Sequence, residues 1–301
     1  MQAWLNGEFV DWDKANVSLL SHSFGRGSGI FEVTDIVATE DGPAYFGLTE
    51  HINRLFNTAE LSYMELPRDR DDLIAVHIEA ARHNHVQEGS AKFFAYYPMI
   101  EFSVLPTNPQ VDMALFCVDF QLFGVKQENL SAPVSAGISS FRKTHPETAP
   151  VHAKMSGNYV NPFLAKKEVT LKGYGDVIML DTMGYVAEGA TSNIFAVKDG
   201  RVLTPSLRSS LPGITRAAVM EGMRDLGIPV LEADMKPKDL FDADEAFYSG
   251  SIVKIQPISS IEGRDLKVPC PGPVTEAVAQ KMKAIFSGKD KLSGKWLTPI
   301  V

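Results

Sequence analysis

The residues best equipped for chemistry lie in four short segments. They are His152-Ala153-Lys154-Met155-Ser156-Gly157-Asn158-Tyr159, Ala187-Glu188-Gly189-Ala190-Thr191-Ser192-Asn193, Leu211-Pro212-Gly213-Ile214-Thr215-Arg216 and Tyr248-Ser249-Gly250-Ser251-Ile252. Each sets glycine beside a polar or charged group in an otherwise apolar context, which suits backbone that approaches a ligand closely. A lysine such as Lys154 becomes a nucleophile when its amine is neutral, a state reached when desolvation or a nearby cation lowers its pKa. One at a time these segments compel nothing. A lone loop lysine is ordinarily solvated, an acid at a strand end is ordinarily a turn residue, and Tyr159 alone reads as a half-buried helix aromatic. No GxGxxG follows a strand, no Walker loop is present, and the histidines are not spaced as a zinc site.

The elements that must position these segments read as mixed α and β. Asn6-Gly7 between Trp4-Leu5 and Glu8-Phe9-Val10 predicts a hairpin, and Glu40-Asp41-Gly42 predicts a second, joining strands over 30–39 and 43–46. Leu48, Ile52, Leu55, Phe56 and Ala59 recur at helical spacing, and a second helix is expected over 71–83. Residues 92–102 and 111–120 are rich in aromatic and β-branched types and read as strands. Residues 124–133 are polar and aperiodic, so the domain link is placed there, between a smaller domain over 1–123 and a larger one over 134–301. The second part opens with a strand over 134–141 and a Pro/His/Thr-rich loop over 143–152. A helix containing 159–167 follows, then strands over 176–181, 185–188, 193–197 and 201–204. Helices are expected over 214–226, ended by Gly227, and over 274–286, with a short strand at 245–248. Hairpins outnumber strand–helix–strand units, which favours an α+β fold over a doubly wound parallel sheet.

At 301 residues the chain has room for about two domains. Its 45% hydrophobic and 22% charged content is ordinary for a soluble globular protein. A net charge of −8 advertises no basic face, so no nucleic-acid partner is expected. The N-terminus lacks the basic and apolar regions of a signal peptide, and no stretch approaches the ~18 apolar residues of a membrane helix. Cys117 and Cys270 are far apart and outside any CxxC pair. They read as small hydrophobes in a reducing compartment, so a cytoplasmic protein without a metal site is expected.

In this order the four segments closely resemble the class IV aminotransferases, and within them the branched-chain amino acid aminotransferases. The likeness runs from Leu5-Asn6-Gly7-Glu8-Phe9-Val10 through Leu19-Leu20-Ser21-His22 and Glu50-His51-Ile52-Asn53-Arg54-Leu55 to Cys270-Pro271-Gly272-Pro273-Val274-Thr275. It covers nearly the whole chain. The resemblance implies the two-domain α+β fold of the fold type IV, D-amino acid aminotransferase-like enzymes, with pyridoxal 5'-phosphate between the domains. It also implies a homodimer, or an assembly of dimers, whose interface helps to build the pocket. Lys154 would hold the cofactor as a Schiff base and then shuttle a proton from the substrate α-carbon. Glu188 would face the pyridine nitrogen and keep it protonated, which makes the ring an electron sink. Tyr159 would donate to the cofactor's phenolate oxygen. Arg54 would meet the phosphate, although helical spacing sets it off the Leu48/Ile52/Leu55/Phe56 stripe and by itself marks a solvated arginine. Ile214 and Thr215 open a helix after Pro212-Gly213, where free backbone N–H groups and the helix dipole suit an anion. Ser251 and Ile252 offer a second turn of that kind. The implied substrate contacts are Phe31, Arg26, Tyr97, Ser251 and Ile252, and the implied partners are an amino acid and a 2-oxo acid.

Two positions depart from the bacterial branched-chain enzymes. Arg26, in Ser23-Phe24-Gly25-Arg26-Gly27, stands where they usually carry tyrosine. Tyr97, in Ala95-Tyr96-Tyr97-Pro98, replaces an arginine that recognises the side-chain carboxylate of glutamate. Glu188-Gly189-Ala190-Thr191-Ser192-Asn193 is also closer to the Ser/Thr-rich versions in D-amino acid transaminases. The expected reaction is transamination of branched-chain L-amino acids with 2-oxoglutarate. A D-amino acid or amine transaminase, or an aminodeoxychorismate lyase-like enzyme of the same fold, stays open as the alternative. A mobile Arg26 on a glycine-flanked turn is the candidate substitute cation for a distal carboxylate, with Arg142 as its rival.

Overall fold

The computed structural model describes residues 1–124 and 131–300; residues 125–130 of the expected link lie outside them. The described residues form two sheets. The first contains β1 (Gln2–Leu5), β2 (Glu8–Asp11), β3 (Ile30–Thr39), β4 (Gly42–Phe46), β5 (Gly89–Tyr96), β6 (Asp112–Asp119) and β16 (Leu297–Pro299), in the order β16-β4-β3-β5-β6-β1-β2. All its neighbours run antiparallel. Asn6 and Gly7 turn the first hairpin with φ of 52° and 114°, the left-handed backbone that an Asn-Gly turn supplies. β16 returns from the C-terminus to this sheet, whereas the sequence placed the whole C-terminal part with the second.

The second sheet contains β7 (Val134–Ile138), β8 (Asp176–Leu180), β9 (Val186–Glu188), β10 (Asn193–Lys198), β11 (Arg201–Pro205), β12 (Val230–Ala233), β13 (Glu245–Gly250) and β14 (Lys254–Ile261), with β15 (Arg264–Asp265) on β14. Its order is β12-β11-β10-β13-β14-β7-β8-β9. Three pairs are parallel, β11 with β12, β14 with β7 and β7 with β8, and the others are antiparallel. This is the α+β arrangement expected, with antiparallel sheet dominant.

The helices are α1 (His22–Arg26), α2 (Leu48–Leu61), α3 (Arg70–His83), α4 (Val160–Leu171), α5 (Ile214–Asp225), α6 (Pro237–Phe241), α7 (Pro273–Phe286) and α8 (Ser293–Trp296). α2 buries Leu48, Ile52, Leu55 and Ala59 in one core with Ile36, Tyr45, Phe93 and Leu115 of the first sheet. Each large apolar side chain so buried contributes roughly 1.5–3 kcal/mol. Phe46 of the first sheet enters the other main core beside Phe195, Val219, Phe247 and Trp296, so the two halves share packing. Its ring meets Phe286 of α7 at 4.7 Å.

Two local expectations are corrected. The segment around Arg26 is a short helix rather than a flexible turn. Ser21 accepts from the Phe24 N–H at its start, and Gly27 ends it at φ 68°. The strand expected over 92–102 stops at Tyr96. Beyond it the chain swings to α1, where the His22 N–H donates to the Met99 carbonyl and the Glu101 N–H to that of Leu20.

Candidate active site

Lys154 is set between the two sheets by backbone contacts. Its carbonyl accepts from the Phe31 N–H at 3.1 Å, while Ser156 and Gly157 donate to the carbonyls of Gly29 and Gly27. Its own N–H donates to Thr58 Oγ1 of α2 at 3.1 Å. The segment thus adds a piece of strand to the start of β3. A Cβ on Gly27 would stand 2.8 Å from the Gly157 Cα, so only glycine permits this approach. The Lys154 amine donates to the Tyr159 hydroxyl at 2.8 Å and lies 4.9 Å from the Phe31 ring centre. Burial, then the Arg54 guanidinium, draw its pKa down to about 8, against the pull of Glu32 and Glu188.

The amine opens into a cleft of about 640 Å³ lined by Arg54, Lys143, Tyr159, Glu188, Thr215 and Ser251 among others. Glu188 is buried at the end of β9. One oxygen accepts from Asn193 Nδ2 at 3.3 Å and the Leu211 N–H at 3.2 Å. The other faces the Lys143 amine at 2.5 Å. Sequence reasoning missed Lys143. Its signal was a basic residue opening the loop that leads to Lys154, but no periodicity tells which way such a side chain turns.

Arg54 is buried, which corrects the solvated reading that helical spacing gave it. Its fork grips Glu32, with Nε to Oε1 at 2.8 Å and Nη2 to Oε2 at 2.7 Å, and Nη1 donates to the Pro212 carbonyl at 3.0 Å. His51 shares the same carboxylate at 2.7 Å. Burial alone would push the Glu32 carboxyl up, yet Arg54 and His51 hold it well below the usual range. The missed Glu32 had a legible signal. A carboxylate inside an apolar strand needs a partner, and His51 and Arg54 stand one helical turn apart.

α5 begins at the cleft wall with no side-chain cap, leaving its first N–H groups without partners among the described residues. Gly213 precedes it, and a Cβ there would come within 2.0 Å of Asn193 Oδ1. The Thr215 and Ser249 hydroxyls are buried without hydrogen-bond partners among the described residues. Gly250 and Ser251 also line this end, whereas Ile252 does not and exposes its side chain. The donor set fits pyridoxal phosphate. Uncapped N–H groups and orphaned hydroxyls suit the phosphate, Glu188 suits a ring N–H, and the Lys154 amine suits an aldehyde.

Of the expected substrate contacts, Phe31 stacks near Tyr159, with ring centres 4.9 Å apart. Arg26 is exposed in a second, apolar cavity of about 1470 Å³ with Phe24, Phe94 and Tyr96, and donates to the Phe102 carbonyl at 3.2 Å. Tyr97 lines neither cavity and packs edge-on against His22. Among the described residues no group of side chains could hold a metal ion, and no helix is long and apolar enough to cross a membrane.

The class IV amino-transferase family model matches residues 29–261. A branched-chain-amino-acid aminotransferase of Salmonella typhimurium is 32% identical over 299 residues, covering 99% of this chain and 96% of the relative. The branched-chain aminotransferase of Thermoproteus uzoniensis, solved with norvaline, superposes with a TM-score of 0.94 at 34% identity, over 100% of this chain and 99% of that one. The branched-chain amino acid aminotransferase of Thermobaculum terrenum, solved in its PLP holo-form, gives 0.92 at 26%, over 100% and 98%. A match over most of the chain, in the fold that brings Lys154 to Glu188, means that the chain belongs to the class IV aminotransferases.

Proposed function

We propose that the protein is a pyridoxal-phosphate-dependent aminotransferase that moves the amino group of branched-chain L-amino acids to 2-oxoglutarate. The substrate class follows the relatives, which carry that name over 95% or more of this chain. The observation that carries the chemistry is the Lys154 amine, drawn down to about 8 and facing Tyr159 and Glu188 across one cleft. Pyridoxal phosphate, when bound, supplies a ring that accepts the electron pair left as the substrate α-carbon loses its proton.

Lys154 supplies a neutral amine near pH 8 and carries the proton away from the substrate α-carbon. Glu188 holds a proton on the ring nitrogen, its other lone pairs occupied by Asn193 and Leu211. Tyr159 stands beside the amine and orients it. The Ile214 and Thr215 N–H groups, with the turn at Gly250 and Ser251, would bind phosphate; Ile252, one residue on, contributes only to the turn. Arg54, its charge offset by Glu32, fixes Pro212 ahead of that helix start. Phe31 walls off water beside the amine, and Arg26 would act as the cation of the substrate side only by leaving the Phe102 carbonyl that it meets in the second cavity.

Two domains over 1–123 and 134–301, a cytoplasmic location and a homodimer belong to the same reading. Two separate sheets support the first, and two unpaired cysteines the second. The exposed Leu19, Leu20, Phe24, Phe102, Val104 and Leu105 support the third.

The test is the half-reaction, followed by the visible absorbance of the bound cofactor. L-Leucine, L-isoleucine and L-valine should discharge that absorbance, and 2-oxoglutarate should restore it. Borohydride reduction and peptide mapping should mark Lys154, and Lys154→Ala should lose the covalent band and turnover. Discharge by D-amino acids alone, or label on another lysine, would reject the reading.

A further inference from the structure

We propose that Asp35 and Lys254 are a positioning pair that holds the turn from Gly250 to Lys254, and with it the backbone at Ser251, against the phosphate end of the cleft. The inference rests on the reading of that turn as a phosphate cradle.

The two residues come from different sheets. Asp35 lies in the middle of β3, opposite Ser90 of β5 and Phe46 of β4. Lys254 is the first residue of β14 and pairs in register with Gly250, so only Ser251, Ile252 and Val253 form the turn. The Lys254 amine reaches Asp35 Oδ2 at 2.6 Å, with the side chains 13% and 1% exposed. Neither group has another hydrogen-bond partner among the described residues. The ammonium also lies 4.9 Å from the Phe286 ring centre.

Stability alone is a poor account of this pair. Burying two charges costs desolvation that their attraction often fails to offset, and apolar side chains of like volume commonly serve as well. An ion pair instead has a fixed partner and a fixed separation. The backbone carries a second sign of the same demand. Lys254 has φ 52°, in the left-handed region where glycine would sit without strain. At such a position the lysine accepts backbone strain that a glycine would avoid, and its side chain is the one that reaches Asp35.

The placement connects both ends of the cleft. At its start, β3 bonds the Lys154 segment through the Phe31 N–H. Four residues on, Asp35 holds the turn that presents Gly250 and Ser251 beside the unpartnered Thr215 and Ser249 hydroxyls. One strand therefore fixes the distance between the amine that meets an aldehyde and the donors that meet a phosphate.

The test compares pyridoxal phosphate with pyridoxal, which lacks the phosphate, binding to the cofactor-stripped full chain by absorbance. Asp35→Asn with Lys254→Met removes both charges and leaves no lone buried carboxylate, and its thermal unfolding verifies the fold. The pair predicts at least a tenfold loss for pyridoxal phosphate and less than a twofold change for pyridoxal. Loss of both ligands alike, or retention of pyridoxal phosphate within twofold, would overturn it. Ser251→Pro removes an N–H from the turn and separates the two levels. If Ser251→Pro leaves the ratio unchanged, the cradle reading fails and the inference with it. If Ser251→Pro lowers the ratio while the double variant does not, the cradle stands and the positioning pair falls.

Discussion

At the scale of single residues the cleft is an arrangement of charges with unequal company. The Lys154 amine, drawn down to about 8, should set the pH dependence of cofactor capture if it forms the proposed link. Below that value the amine is mostly ammonium, so the rate at which cofactor-free protein takes up pyridoxal phosphate should rise about tenfold per pH unit and level off above 8. A stopped-flow profile still climbing towards the ordinary lysine value of 10.5 would show that burial and Arg54 do not act as described. Glu188 should act through charge. Glu188→Gln keeps the shape but cannot pair with a protonated ring, and losing a buried ion pair costs several kcal/mol. At ~1.4 kcal/mol per decade, single-turnover rates should fall by about two decades or more; a variant within threefold of the parent would remove Glu188 from the chemistry. Lys143 neutralises Glu188 across 2.5 Å. Lys143→Met should lower the melting temperature of the cofactor-free protein, because a buried carboxylate is left unpaired. The deficit should shrink when pyridoxal phosphate is added, since the ring N–H gives Glu188 a new partner. An equal deficit with and without cofactor would mean that the two cations do not share that carboxylate.

At the scale of elements the decisive feature is how closely three pieces of backbone meet. The α5 start depends on Gly213, where an added methyl would strike Asn193 Oδ1. That asparagine also donates to Glu188 and to the Leu211 carbonyl, so it cannot move freely. Gly213→Ala should therefore cost about 1–3 kcal/mol through overpacking. It should also displace the helix start, lowering pyridoxal phosphate affinity by at least about tenfold. Equilibrium titration of the stripped variant measures this, and unchanged affinity would show that the helix start does not carry the phosphate.

At the scale of the whole molecule, exposed apolar side chains gather where the 97–105 segment passes α1. Phe102, Val104 and Leu105 are each more than two-thirds exposed, beside Leu19 and Phe24. A patch of this kind is costly in water and suits a second copy of the chain. Sedimentation should find a dimer at micromolar concentration. Phe102→Asp with Leu105→Asp should shift it towards monomer, because two charges would have to be buried against the second copy. A double variant that stays dimeric would place the interface elsewhere.

What the sequence determined by itself is local. Asn6-Gly7 fixed a turn through its own backbone freedom, and the Leu48/Ile52/Leu55/Ala59 spacing fixed both a helix and its buried face. The glycine-bearing segments around Lys154, Glu188, Gly213 and Ser251 announced close backbone approach, and the cleft is built from all four. Tertiary structure decided what the far side of each element meets. Arg54 lies off the apolar stripe and reads as solvated, yet Pro212, 158 residues away, covers it and Glu32 neutralises it. The edge pairings of β12 and β16, the turn of Lys143 towards Glu188, and the reach of Lys254 to Asp35 were equally hidden. Hydrophobic periodicity reports one element's own geometry, whereas the burial of a charge is set by a partner elsewhere in the chain, and only the folded arrangement brings the two within a hydrogen bond.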